Sequence, residues 1–76
     1  MQRQKIVIEG IVQGVGFRPF IYQLAERFAL AGSVCNDTRG VTIEVEGEPE
    51  VLDRFVAAIQ NEKPPLAVIQ NIHTET

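Results

Sequence analysis

Between positions 5 and 31 the hydrophobic period of the chain changes from two to about 3.6. The change is made across one short loop, Gln13-Gly14-Val15-Gly16-Phe17-Arg18-Pro19. Ahead of it, Lys5 to Val12 alternates as a strand. Ile6, Ile8 and Val12 share one face, and Lys5, Val7, Glu9 and Ile11 share the other. Polar residues on the second face are few, which predicts a central strand. Gly10 interrupts it and suggests a bulge or a close backbone approach. Behind the loop, Pro19 to Ala31 repeats as a helix, with Phe20, Ile21, Leu24, Ala25 and Phe28 forming its buried stripe. Gly32 stands where a helix-ending glycine belongs.

The loop carries its own chemistry. Gly14 and Gly16 allow backbone angles that a side chain would forbid. A loop in such conformations turns successive N–H groups inward and makes an anion-binding concavity. Pro19 suits the first helical position, where its missing N–H costs nothing. The helix start adds further unpaired N–H groups and a positive dipole end. Arg18 adds a planar fork that matches phosphate or carboxylate geometry. Gly14, Val15, Gly16, Phe17 and Arg18 together read as a socket for a small anion such as phosphate. From these residues alone, a plain strand-to-helix turn with an exposed arginine stands equally open. A P-loop is excluded by the lack of a lysine, and a dinucleotide fingerprint by Pro19 where its third glycine would fall.

Downstream, Ser33 to Asp37 reads as a second strand and Asp37-Thr38-Arg39-Gly40 as a hairpin turn. Val41, Ile43 and Val45 alternate with Thr42, Glu44 and Glu46, which predicts a third strand with one wet face. Pro49 opens a second helix with the stripe Val51, Leu52, Phe55, Val56 and Ile59, and Lys63-Pro64-Pro65 ends it. Leu66 to about Ile72 is a fourth strand. The order β-α-β-β-α-β predicts an α+β, ferredoxin-like split sandwich: an antiparallel sheet with two helices on one face. In that topology the third strand lies between the first and second. The C-terminal ends of those two then share an edge, which gathers Arg18 and Asn36.

With 76 residues the chain holds one domain with a modest core. A net charge of −3 argues against a nucleic-acid partner, so an anionic ligand is drawn by local groups rather than by the overall field. The single Cys35 excludes an internal disulfide and fits a reducing cytoplasm. It reads as a packed small side chain. No signal peptide or membrane span is read in the sequence, and a cytoplasmic location is expected. His73 has no partner pattern, Glu44 and Glu46 read as a solvated face, and Phe17 as core. Asn36, from spacing alone, reads as a turn-flanking asparagine.

Gly10-Ile11-Val12-Gln13-Gly14-Val15-Gly16-Phe17-Arg18, followed by Gly32-Ser33-Val34-Cys35-Asn36, resembles the acylphosphatase family over about Lys5 to Ile72. The resemblance implies that Arg18 binds phosphate, that the backbone of Gly14 to Arg18 cradles it, and that Asn36 orients an attacking water. Free-standing members usually have Thr or Ser where Asp37 stands. Val34-Cys35-Asn36-Asp37, Arg18-Pro19-Phe20 and Pro64-Pro65-Leu66-Ala67 resemble the N-terminal domain of HypF-type carbamoyltransferases of nickel–iron hydrogenase maturation. That likeness implies one acylphosphatase-like domain over residues 1–76, excised from a longer chain and lacking the family's final edge strand. It implies an acyl phosphate substrate, carbamoyl phosphate above all. It also implies further domains of the same chain and other hydrogenase maturation proteins as partners.

An acyl phosphate carries a leaving group that departs without strong protonation. No metal, cofactor, Ser-His-Asp set or catalytic cysteine is needed, and none is expected. A free-standing acylphosphatase, or an anion- or partner-binding module without turnover, remains the alternative.

Overall fold

In the computed structural model, which describes residues 1–76, the alternation of the first strand places Ile6 and Ile8 fully inside. That strand, β1 (Gln2–Ile11), is followed by α1 (Phe17–Arg27), β2 (Ala31–Asn36), β3 (Gly40–Gly47), α2 (Pro49–Glu62) and β4 (Val68–Glu75). The sheet order is β2-β3-β1-β4, and every neighbouring pair is antiparallel. β1 is therefore central and runs parallel to β2, with β3 between them, as the α+β reading predicts.

Ile6 sits opposite Ile43, and Ile8 opposite Val41. These residues belong to one core with Phe17, Ile21 and Leu24 of α1 and Leu52, Phe55 and Ile59 of α2. Both helices thus cover one face of the sheet. Burying large apolar side chains at about 1.5–3 kcal/mol each is the main force holding a domain of this size together. Neither helix is long and apolar enough to cross a membrane.

Several boundaries differ from the sequence reading: β1 begins at Gln2 rather than Lys5, and β2 spans Ala31–Asn36 rather than Ser33–Asp37. α1 starts at Phe17, two residues before Pro19, so the proline occupies the third helical position. A missing N–H is harmless there too, because the first four N–H groups have no intrahelical acceptor.

At the other end α1 stops at Arg27 with Phe28 as its cap, and Gly32 is not its terminator. Leu30 N–H donates to the Ala25 carbonyl at 2.8 Å and Ala29 N–H to the Glu26 carbonyl at 3.1 Å, with Ala29 at φ 55. This is a Schellman ending built on alanine. It brings Leu30 back against the core, where its Cδ2 would lie 2.4 Å from any Cβ placed on Gly47. Gly32 instead belongs to β2 opposite Val45, where a Cβ would fall 1.8 Å from the Glu44 carbonyl oxygen.

β4 starts two residues later than expected and runs on to Glu75, because Lys5 to Ile11 of β1 offers it a ladder over that whole length. Leu66 is left exposed in the preceding turn, while Ala67 is buried. Gly10, expected to mark a bulge, has φ 143 and sits at a register shift: Glu9 faces Asn71, Gly10 faces Ile69, and Gln70 is the extra residue. The shift brings Ile69 and Ile72 against the same core.

Candidate active site

Val12 and Phe17 are 2% and 1% exposed, and they pin the two ends of the glycine loop into the core. Between them Gly14 and Gly16 adopt φ 74 and 78, left-handed values that L side chains avoid. Gly16 is the cap of α1 and supplies no side-chain acceptor. The first helical bond runs from Phe20 N–H to the Gly16 carbonyl at 3.2 Å. The backbone N–H groups of Gly14, Val15, Gly16, Phe17 and Arg18 find no acceptor in the protein. Five consecutive free donors at a helix start form a positively polarised concavity.

Arg18 adds formal charge. Arg3, Arg27 and Arg39 each hold a carboxylate, whereas Arg18 forms no ion pair. Its exposed guanidinium lines an open cleft of about 340 Å³ with Gln13, Gly14, Gly16 and Phe17 of the loop, Tyr22 of α1 and Asn36 of β2. No acidic side chain lines this cleft. An anion entering it meets donors without a competing carboxylate.

Asn36 is the last residue of β2 and pairs with Val41 across the hairpin. Its position depends on the turn that follows. Asp37 Oδ1 accepts the N–H groups of Arg39 at 2.8 Å and Gly40 at 2.9 Å, and Oδ2 accepts the Thr42 hydroxyl at 3.0 Å. The Arg39 N–H, then the Thr42 hydroxyl and the Gly40 N–H, hold the Asp37 carboxyl below its usual range. Asp37 is thus a turn-forming residue whose carboxylate oxygens are engaged within the hairpin.

The structure brings Arg18, Asn36, Gly14, Gly16 and Phe17 of the expected site to one cleft. Phe17 plays two parts: its ring is buried core, tilted against Phe20 at 5.7 Å, while its N–H belongs to the free set. Val15 was expected to contribute through its backbone. Its apolar side chain packs against the core and does not line the cleft, while its N–H is free. Cys35 is corrected: it is exposed, since strand alternation gives the inner face of β2 to Val34 and Asn36.

Gln13 is the residue that sequence reasoning passed over. Its Nε2 donates to the carbonyls of Asp37 and Gly40, the latter at 3.0 Å. Both acceptors are main-chain groups of a hairpin 24 and 27 positions away, and no spacing rule signals such a contact. Geometrically, the cleft can seat a tetrahedral oxyanion on amides and a guanidinium, with a neutral amide side chain beside it.

Sequence and structure comparisons place the fold among known proteins. Residues 4–76 match the acylphosphatase family. The chain is 46% identical over 72 residues to carbamoyltransferase HypF of Rhizobium leguminosarum bv. viciae, covering 95% of this chain and 9% of that one. The crystal structure of full-length HypF in its phosphate- and nucleotide-bound form is 44% identical and superposes with a TM-score of 0.94, covering 97% of this chain and 10% of that one. The acylphosphatase of Bacillus subtilis superposes with a TM-score of 0.92 at 38% identity, covering 99% of this chain and 83% of that one. The chain spans about a tenth of the HypF relatives it matches and most of the length of a free-standing acylphosphatase. With the family match running through the glycine loop, Arg18 and Asn36, the chain belongs to the acylphosphatase family.

Proposed function

We propose that the chain hydrolyses acyl phosphates, with carbamoyl phosphate as the substrate and a HypF-type carbamoyltransferase of the cytoplasm as its setting. There it acts as one domain, beside further domains of the same chain and other hydrogenase maturation proteins. The observation that carries the reading is the run of five unpaired N–H groups from Gly14 to Arg18, together with the unpaired Arg18 side chain, at an acid-free cleft that also holds Asn36.

The phosphoryl oxygens of the substrate sit on the amides of Gly14 to Arg18, and the Arg18 guanidinium takes up the charge that grows on them. The Asn36 side-chain carbonyl holds a water on the side opposite the leaving group. The water oxygen bonds to phosphorus as the P–O bond to the acyl group breaks, and that electron pair leaves on a carboxylate or carbamate oxygen. The protons of the water pass to solvent and to the phosphate product. Because the leaving group is a weak base, the site works without a general acid.

Hydrolysis of benzoyl phosphate, followed by ultraviolet absorbance on wild type and Arg18→Ala, tests the reading. Turnover that depends on Arg18 is expected. Anion binding without Arg18-dependent turnover would leave a binding module instead. A specific observation favours a second setting: the likeness spans 83% of a free-standing acylphosphatase. Activity without any further domain is its expected mark.

A further inference from the structure

We infer that Gln13 is a positioning residue, whose side-chain amide holds the Asn36 end of the β2–β3 hairpin in register with the Arg18 loop. The inference rests on the proposed role of Asn36. Gln13 leaves β1 directly before the free amides and lines the same cleft as Arg18 and Asn36. Its Nε2 donates to the Asp37 and Gly40 carbonyls. Both partners are acceptors only, so the amide is oriented with nitrogen toward the hairpin and oxygen away.

The first of those carbonyls belongs to the residue that follows Asn36, and the second closes the turn by accepting the Asp37 N–H at 2.9 Å. β1 and β2 are not neighbours in the sheet, because β3 lies between them. Asn36 is therefore joined to β1 only indirectly, through its pairing with Val41 and the pairing of Val41 with Ile8. The β1–β3 ladder ends at the Glu9–Gly40 pair, and beyond it one further backbone bond, Gly10 N–H to the Arg39 carbonyl at 3.3 Å, reaches the turn. β2 is an edge strand paired on one side only, and Asn36 ends it. Asp37 makes the turn rigid within itself, and Gln13 fastens that rigid turn to the cradle. Reaction geometry is sensitive to small displacements, so this tie bears on turnover more than on anion binding.

The test combines kinetics and spectra on Gln13→Ala and Gln13→Glu, the second of which sets a carboxylate against two carbonyls. Turnover of benzoyl phosphate is expected to fall about tenfold or more, and further in Gln13→Glu, while KM and the Kd for inorganic phosphate change by less than about threefold. Urea midpoints confirm that each variant is folded. In an Asn36→Ala background, Gln13→Ala should add no further loss, because both changes remove one function. The Asn36 side-chain amide resonances should shift in both Gln13 variants.

Fully additive losses, an equal loss of phosphate affinity, or unmoved Asn36 resonances would each overturn the inference. If wild type itself turns over no acyl phosphate, the hydrolase reading fails, and the Asn36 resonances alone decide whether the tie exists. Wild type also offers a readout that needs no variant. The Gln13 side-chain amide protons should exchange slowly with solvent, and fast exchange would count against the tie.

Discussion

Replacing Gly10 by alanine tests what the glycine at the β1–β4 irregularity is for. A Cβ there would lie 2.1 Å from the Val68 carbonyl oxygen and 2.9 Å from Gln70 N. Both atoms are backbone of the partner strand, so neither can swing aside as a side chain does. Gly10 also has φ 143, which costs a side chain about 1–2 kcal/mol. To relieve the overlap, the start of β4 must lift away from the Gly10–Ile69 and Ile11–Val68 pairs. Two ladder bonds at about 1 kcal/mol each are then lost. The sum is about 3–4 kcal/mol, against a total of about 4–11 kcal/mol for a domain of 76 residues. The corresponding fall in Tm is about 12–32 °C.

Urea unfolding of wild type, Gly10→Ala and Gly14→Ala measures it. Gly14 is the control: its φ of 74 is also left-handed, but a Cβ there meets nothing within 4 Å. Its replacement should cost only the backbone strain, about 1 kcal/mol. If Gly10→Ala cost no more than Gly14→Ala, close approach to β4 would not be the reason for the glycine, and the reasoning would fail.

Arg18→Ala is expected to weaken phosphate binding by about 1.5–3 kcal/mol, or roughly 10- to 150-fold by isothermal titration, while Asn36→Ala keeps phosphate affinity and loses turnover. Equal loss of affinity in both variants would show that the two roles are wrongly divided. The Asp37 carboxyl titrates below its ordinary value because turn N–H groups and the Thr42 hydroxyl favour its charged form. Its stabilisation is therefore present above about pH 4 and lost as pH falls through the lower, folded value. Asp37→Asn should lose less stability than wild type on acidification below about pH 4 in pH-resolved urea melts, and parallel curves would argue against the turn role. Phe55 is fully buried and packs edge-on to Phe28 at 6.3 Å. Phe55→Ala should cost about 3–5 kcal/mol by the same melts, a large share of the whole stability, and a loss below about 1 kcal/mol would mean that the core refills the space.

The periods of two and 3.6 are properties of local sequence, because each element must turn its own apolar residues to one side. They were therefore readable in Ile6 and Ile8, in Val41, Ile43 and Val45, and in Leu52, Phe55 and Ile59, and with them the order of elements. The glycine loop was readable for a similar reason: left-handed backbone at Gly14 and Gly16 is a local demand that glycine alone meets freely. Arg18 followed, because it adjoins the loop in the chain. Asn36 needed the topology as well, since spacing alone gave it a turn role.

Other features depend on what lies across the fold. Ala29 takes the left-handed position that Gly32 was expected to fill, because Leu30 is drawn to the core and Gly32 must pass close to the Glu44 carbonyl. Cys35 is exposed because the inner face of β2 falls to its neighbours on either side. Gln13 is the sharpest case. A polar residue at the end of a strand carries no mark of its partners, and the two carbonyls it meets reach it only because β3 turns the hairpin back beside β1. Local sequence specifies what a segment prefers by itself. Contacts between segments far apart in the chain are decided when the sheet closes and its register brings them within a hydrogen bond of each other.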